Sequence, residues 1–192
     1  KIIKNFIKKD KNNVFVIDGV TGSGKTEVYF EVINKYINNK MQSLILLPEI
    51  SLSSQFLDRF SKRFGEKAYL WHSGLSMKQR HLTWQSVIKG EAKVVVGARS
   101  ALFLPFINLG LIIVDEEHDI SYKQEDGVCY NARDMAVARG AMASLNVILV
   151  SATPSLETLY NVNIKKYKKI EMHERYGLAV MPTIKLIDMR KE

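Results

Sequence analysis

Gly19-Val20-Thr21-Gly22-Ser23-Gly24-Lys25-Thr26 carries the spacing G-x-x-x-x-G-K-T in full. An apolar run, Val14-Phe15-Val16-Ile17, precedes it and reads as a buried strand. A helical pattern follows, with Val28, Val32 and Tyr36 on one stripe and Tyr29, Ile33 and Ile37 beside it. Strand, glycine-rich turn and helix together are the setting of a P-loop. Gly22 and Gly24 let the backbone curl so that its N–H groups point inward at phosphate oxygens. Those donors open a helix, whose N-terminal dipole favours an anion. In this motif Lys25 reaches the β- and γ-phosphates and the Thr26 hydroxyl binds Mg²⁺.

Working outward, the 192 residues suit one domain, and the 46% apolar fraction is enough for a core. The formal charge of +8 suits an anionic partner, nucleic acid first and a membrane surface second; a lysine-rich proteome would give the same excess. The lone Cys129 excludes an internal disulfide and a multi-cysteine zinc site, and the expectation is a reduced, cytoplasmic protein. No apolar run approaches the ~20 residues of a membrane span, so no membrane association is expected. The chain begins with Lys1 rather than Met and reads as a piece of something longer.

Ile2, Ile3, Phe6 and Ile7 have helical spacing, and Lys11-Asn12-Asn13 turns into the first strand. Further apolar strands are expected at Ser43–Leu47, Ala68–Trp71, Lys93–Val96, Leu111–Val114 and Val147–Val150. Pro48 and Glu49 open a helix that buries Phe56, Phe60 and Phe64, and Ser76 to Gln79 has capping-box spacing for another. Trp71 and Trp84 are assigned to packing. The strands are continuous rather than alternating runs, which implies burial on both faces and an α/β fold with a mostly parallel sheet. The lobe is expected to occupy 1–165. The less regular 166–192, with Pro182, holds either a last strand at Lys185–Asp188 or the start of a link.

In such sheets ligands bind beyond the carboxyl ends of the strands, and the polar residues gather there. Asp115-Glu116-Glu117-His118 follows the fifth strand in the Walker B arrangement. Asp115 would hold Mg²⁺, and Glu116 would orient and deprotonate an attacking water. With Lys25 these are the candidate catalytic residues. Ser151-Ala152-Thr153-Pro154 follows the sixth strand. Its hydroxyls either hydrogen-bond His118 or Glu116 and sense the γ-phosphate, or cap a helix before Pro154.

GSGKT, DEEH and SATP in this order resemble motifs I, II and III of superfamily 2 helicases, and so a RecA-like lobe. The chain is similar in finer detail to the PriA family of bacterial primosomal replication-restart helicases. That likeness rests on Leu47-Pro48-Glu49-Ile50 with Gln55, on His72-Ser73-Gly74-Leu75 and on Gly97 to Phe103. It continues through Ser121-Tyr122-Lys123-Gln124-Glu125-Asp126-Gly127 and Tyr130-Asn131-Ala132-Arg133-Asp134. The resemblance implies a 3′→5′ DNA translocase using ATP and Mg²⁺, acting on single-stranded and forked DNA beside other primosome proteins and single-strand-binding protein. It also implies that the family's fork-binding region, its zinc-binding cysteines and its second lobe lie outside this sequence. No zinc is expected in this fragment, and ATPase activity should be low without the second lobe's arginine.

A translocating lobe grips phosphates with backbone N–H groups, hydroxyls and cations. Candidate DNA contacts are Pro48, Glu49 and Gln55 at one helix start, and Arg99 and Ser100 after the fourth strand. Tyr122, Lys123, Tyr130 and Arg133 interleave aromatics with cations, as stacking platforms do. By resemblance this stretch, with Gln124, is the aromatic-rich loop that couples DNA to hydrolysis; an ordinary surface loop with core-packed tyrosines is the other reading. The alternative function is a nucleotide-dependent binding module without turnover, which would not need Glu116.

Overall fold

The computed structural model describes residues 13–48 and 54–175. Helical spacing at Ile2–Ile7, residues 49–53 with Glu49, and the segment after 175 lie outside the described residues. The chain runs β1 (Val14–Gly19), α1 (Lys25–Asn38), β2 (Gln42–Leu46), α2 (Ser54–Phe64), β3 (Tyr69–Trp71), α3 (Met77–Ile88) and β4 (Val94–Gly97). It continues β5 (Leu109–Asp115), β6 (Lys123–Gln124), β7 (Tyr130–Asn131), α4 (Ala132–Ala143), β8 (Asn146–Ser151), α5 (Leu156–Asn163) and β9 (Lys168–Met172).

Seven strands form one parallel sheet in the order β3-β4-β2-β5-β8-β1-β9, and β6 and β7 make a small antiparallel hairpin. The expected parallel α/β fold is what is found. Successive side chains of a strand point to opposite faces, and both faces here are covered. Phe15 and Ile17 join α1 and α2 on one side, through the Phe30, Phe60 and Phe64 rings. Val16, Ile112 and Val114 pack with Val87, Tyr122 and Ala136 on the other. Double-sided burial is why these strands read as continuous apolar runs.

The capping box at Ser76 and Gln79 is formed as expected. Trp84, by contrast, is 44% exposed on α3 rather than packed in the core. The strand β9 lies in a stretch that looked irregular. It is an edge strand with Lys168, Lys169 and Glu171 exposed, and charge is how sheet edges avoid pairing with other chains.

Candidate nucleotide site at three strand ends

The sheet order places β5, β8 and β1 side by side, so the turns after them meet at one edge. After β1, Gly22 and Gly24 take φ of +82° and +85°, the left-handed region that glycine enters without strain. Gly24 ends the turn and caps α1, whose first N–H groups have no intrahelical acceptor. Lys25 is buried, and its Nζ donates to Gly19 O at 2.7 Å and to Val20 O at 3.4 Å. Ser23 Oγ is buried with no hydrogen-bond partner among the described residues. Val20 N–H ties the turn to β9 by donating to Met172 O at 3.2 Å. Thr21 through Val28, with Asp115, Glu116, Arg59 and Met172, line a hollow of about 840 Å³.

Asp115 ends β5 with its carboxylate in this hollow. Oδ2 accepts from the buried Tyr29 hydroxyl at 2.8 Å, and Oδ1 accepts from Glu116 N at 3.0 Å. Burial pushes its carboxyl up to about 6; Glu116's charge adds to this, while the Tyr29 bond, the Glu116 N–H and Lys25 pull it back. Glu116 itself takes φ +48°, a strained conformation for a non-glycine and one that recurs at functional sites. Its Oε2 lies 3.7 Å from His118 Nδ1.

The residues fit a Mg-nucleotide. An orphaned serine hydroxyl, free first-turn N–H groups and a buried ammonium suit a polyphosphate. Asp115 and Thr26 supply hard oxygens, and Mg²⁺ is commonly bound by one or two protein oxygens plus phosphates and water. A bound cation would reverse the upward push on Asp115.

Ser151 Oγ lies 2.8 Å from His118 Nδ1 and accepts from Thr153 N at 2.9 Å. The hydroxyl of the third motif therefore does meet the histidine of the second. A cap also exists, but it is Ser155, whose Oγ accepts from Thr158 N at 3.3 Å.

Glu117 gives no signal of its own in the sequence, standing directly after the Asp115-Glu116 pair. It is 2% exposed and gathers four donors: Ser155 N at 2.7 Å, Thr158 Oγ1 at 3.0 Å, Ser155 Oγ at 3.1 Å and Arg133 Nη1 at 3.3 Å. In the sequence Tyr29 reads as a core residue; its spacing of four from Lys25 is the one sign that it reaches the site.

Two expected DNA contacts are corrected. Tyr122 is 1% exposed, and its hydroxyl lies 2.6 Å from Asp115 O and 2.9 Å from Leu46 O, so its ring cannot stack on a base. Arg133 is buried on Glu117, 7% exposed, so its charge is already neutralised. The Gln124 side chain donates to Asp126 O at 3.0 Å within its own hairpin. Lys123 is exposed beside Glu125, and Tyr130 packs edge-on against Phe103. Arg99 Nη1 donates to Ser121 O at 3.1 Å and Lys123 O at 3.0 Å, holding the loop down. Arg99 shares a separate hollow of about 270 Å³ with Pro48 and Tyr122. Ser100 and Gln55 are exposed.

A P-loop after β1, an acid pair after β5 and a hydroxyl motif after β8 define a RecA-like lobe of the P-loop NTPase class. The chain belongs to the DEAD/DEAH box helicase family, whose model matches residues 1–162. It is 49% identical over 186 residues to the replication restart protein PriA of Rickettsia felis, covering 97% of this chain and 29% of that protein. Identity to the replication restart protein PriA of Bacillus subtilis is 43% over 190 residues, 99% of this chain and 24% of that protein. The chain thus spans less than a third of these relatives' length. Among solved structures, RecG bound to a three-way DNA junction superposes with a TM-score of 0.62 at 20% identity, over 92% of this chain and 23% of that one. The Pyrococcus furiosus Hef helicase domain gives 0.59 at 20% identity, over 88% and 36%. At such identities the likeness is one of fold. Among the described residues no helix is long and apolar enough to cross a membrane.

Proposed function

We propose that this chain is the ATP-binding motor lobe of a 3′→5′ DNA helicase acting in replication restart, on single-stranded and forked DNA. The observation that carries the reading is the convergence of Lys25, Asp115, Glu116, His118 and Ser151 on adjacent strand ends, in a chain resembling replication restart proteins over nearly its whole length. Bound Mg-ATP supplies the electrophilic γ-phosphoryl group and the charge-neutralising cation. Lys25 turns from the Gly19 and Val20 carbonyls to the phosphates, and the first-turn N–H groups and Ser23 Oγ add donors. Thr26 and Asp115 would hold the metal, with Tyr29 fixing the Asp115 carboxylate. Glu116 orients water and takes its proton on a carboxylate oxygen. His118 and Ser151 register the state of the site and pass it to α5.

DNA is gripped by Gln55, Arg99, Ser100 and Lys123, which are exposed or half-buried, with Tyr130 on the strand paired to that of Lys123; Pro48 is buried and supplies no N–H, and Glu49 lies outside the described residues. In the longer protein, primosome proteins and single-strand-binding protein are the partners, and the setting is cytoplasmic. The transition state is completed by an arginine outside this lobe, so the 192-residue chain alone hydrolyses ATP slowly. The test is steady-state hydrolysis and strand displacement by the longer protein on forked DNA, with and without ATP. DNA-stimulated turnover with displacement supports the reading. ATP binding without either would make this a nucleotide-dependent binding module.

A further inference from the structure

Two ion pairs bridge α1 and α2 in parallel. Arg59 Nη2 donates to Glu27 Oε1 at 2.9 Å, and one turn further along both helices Arg63 pairs with Glu31. If the bridges served only to join the helices, the two would be interchangeable. Their surroundings differ. Arg59 and Glu27 line the nucleotide hollow together with Lys25, Thr26, Asp115 and Glu116, whereas Arg63 and Glu31 do not.

Stability does not account for the Arg59 pair. Its side chains are 47% and 58% exposed, and a pair so screened contributes little. Glu27 sits in the first turn of α1, where the helix dipole favours a carboxylate. The same carboxylate stands at the mouth of a polyphosphate site and, left alone, would repel the ligand. Arg59 cancels that charge. Its guanidinium has five N–H donors in a planar fork, and among the described residues one nitrogen is engaged, on Glu27.

We propose that Arg59 is a phosphate-contacting cation belonging to this lobe, recruited to the terminal phosphate of a bound nucleoside triphosphate and held ready by Glu27. This rests on the nucleotide reading above and adds to it a residue outside all three motifs.

The test is calorimetric titration of Mg-ATP and Mg-ADP into the full-length protein and its Arg59→Ala, Arg59→Lys, Arg63→Ala and Lys25→Ala variants, with melting curves to confirm folding. Arg59→Ala should weaken Mg-ATP about five- to tenfold, the effect of one partly exposed charge-assisted contact, and Mg-ADP by less than about twofold. Arg59→Lys should recover part of the loss, and Arg63→Ala should bind both nucleotides like the parent. Equal losses in Arg59→Ala and Arg63→Ala would mark both pairs as structural bridges and overturn the proposal. So would no loss in Arg59→Ala, or equal losses for the two nucleotides. Undiminished binding by Lys25→Ala would instead bring down the nucleotide site on which the proposal rests.

Discussion

Glu117 and Arg133, sixteen residues apart, form an ion pair buried between the DEEH turn and α4, with Nη1 3.3 Å from Oε2. Ser155 and Thr158 of the next helix donate to the same carboxylate. One acid therefore fastens together the turn after β5, the start of α4 and the cap of α5. A buried charge left without its partner is costly, so the pair is expected to act mainly on folding. Arg133→Ala should destabilise the chain by about 3 kcal/mol, read from urea unfolding. The Glu117→Gln, Arg133→Met double variant should lose less than the two single changes summed.

Tyr29→Phe separates the site from the core. The ring stays buried and the packing is kept, but Asp115 loses its side-chain donor. Loss of such an outer partner typically lowers metal affinity or activity about 10- to 100-fold. The expected outcome is a raised half-saturating Mg²⁺ concentration for ATP hydrolysis with a nearly unchanged melting temperature. It is checked by Mg²⁺ titration of the full-length enzyme.

Tyr122→Phe distinguishes a core tyrosine from a stacking one. The phenyl ring would stack on bases as well as the phenol, so a stacking role predicts no defect. The structure predicts a loss of about 1–2 kcal/mol on chemical denaturation, because two buried carbonyls, Leu46 O and Asp115 O, lose their shared donor. Affinity of the folded variant for single-stranded DNA should match the parent.

Lys123→Ala should do the opposite. Lys123 is exposed, and its surface pair with Glu125 contributes little to stability. If it neutralises one phosphate, its removal should lower single-strand affinity and reduce the slope of log affinity against log salt by about 0.7. Fluorescence anisotropy across a salt series measures both.

Much of this arrangement was legible in the residues, for reasons that differ along the chain. Strands buried on both faces announce themselves by an unbroken apolar run through their middle; β1, β2, β5 and β8 are such strands, with polar residues only toward their ends. Gly22 and Gly24 are needed by a backbone that turns left-handed, and Lys25 and Asp115 by the chemistry of phosphate and metal. Residue type alone could not decide the loop after DEEH. A tyrosine or an arginine serves a wet surface or a buried network equally well, and only the fold shows that Tyr122 and Arg133 turned inward while Lys123 stayed out. Edge strand β9 was hidden by the charges that protect it. Glu117 and Arg59 carry no sequence signal because their partners, Ser155 and Glu27, are distant in sequence and meet them only across elements.

The central claim is that Lys25, Thr26, Asp115 and Glu116 form one Mg-ATP hydrolysis site. Its most direct test compares ATP binding and single-turnover hydrolysis in the full-length protein and its Glu116→Gln variant. The amide keeps the shape of the carboxylate but cannot take a proton from water. Binding should stay within about twofold of the parent while hydrolysis falls by about 10²-fold or more. Hydrolysis at the parental rate, or a loss of binding as large as the loss of hydrolysis, would contradict it.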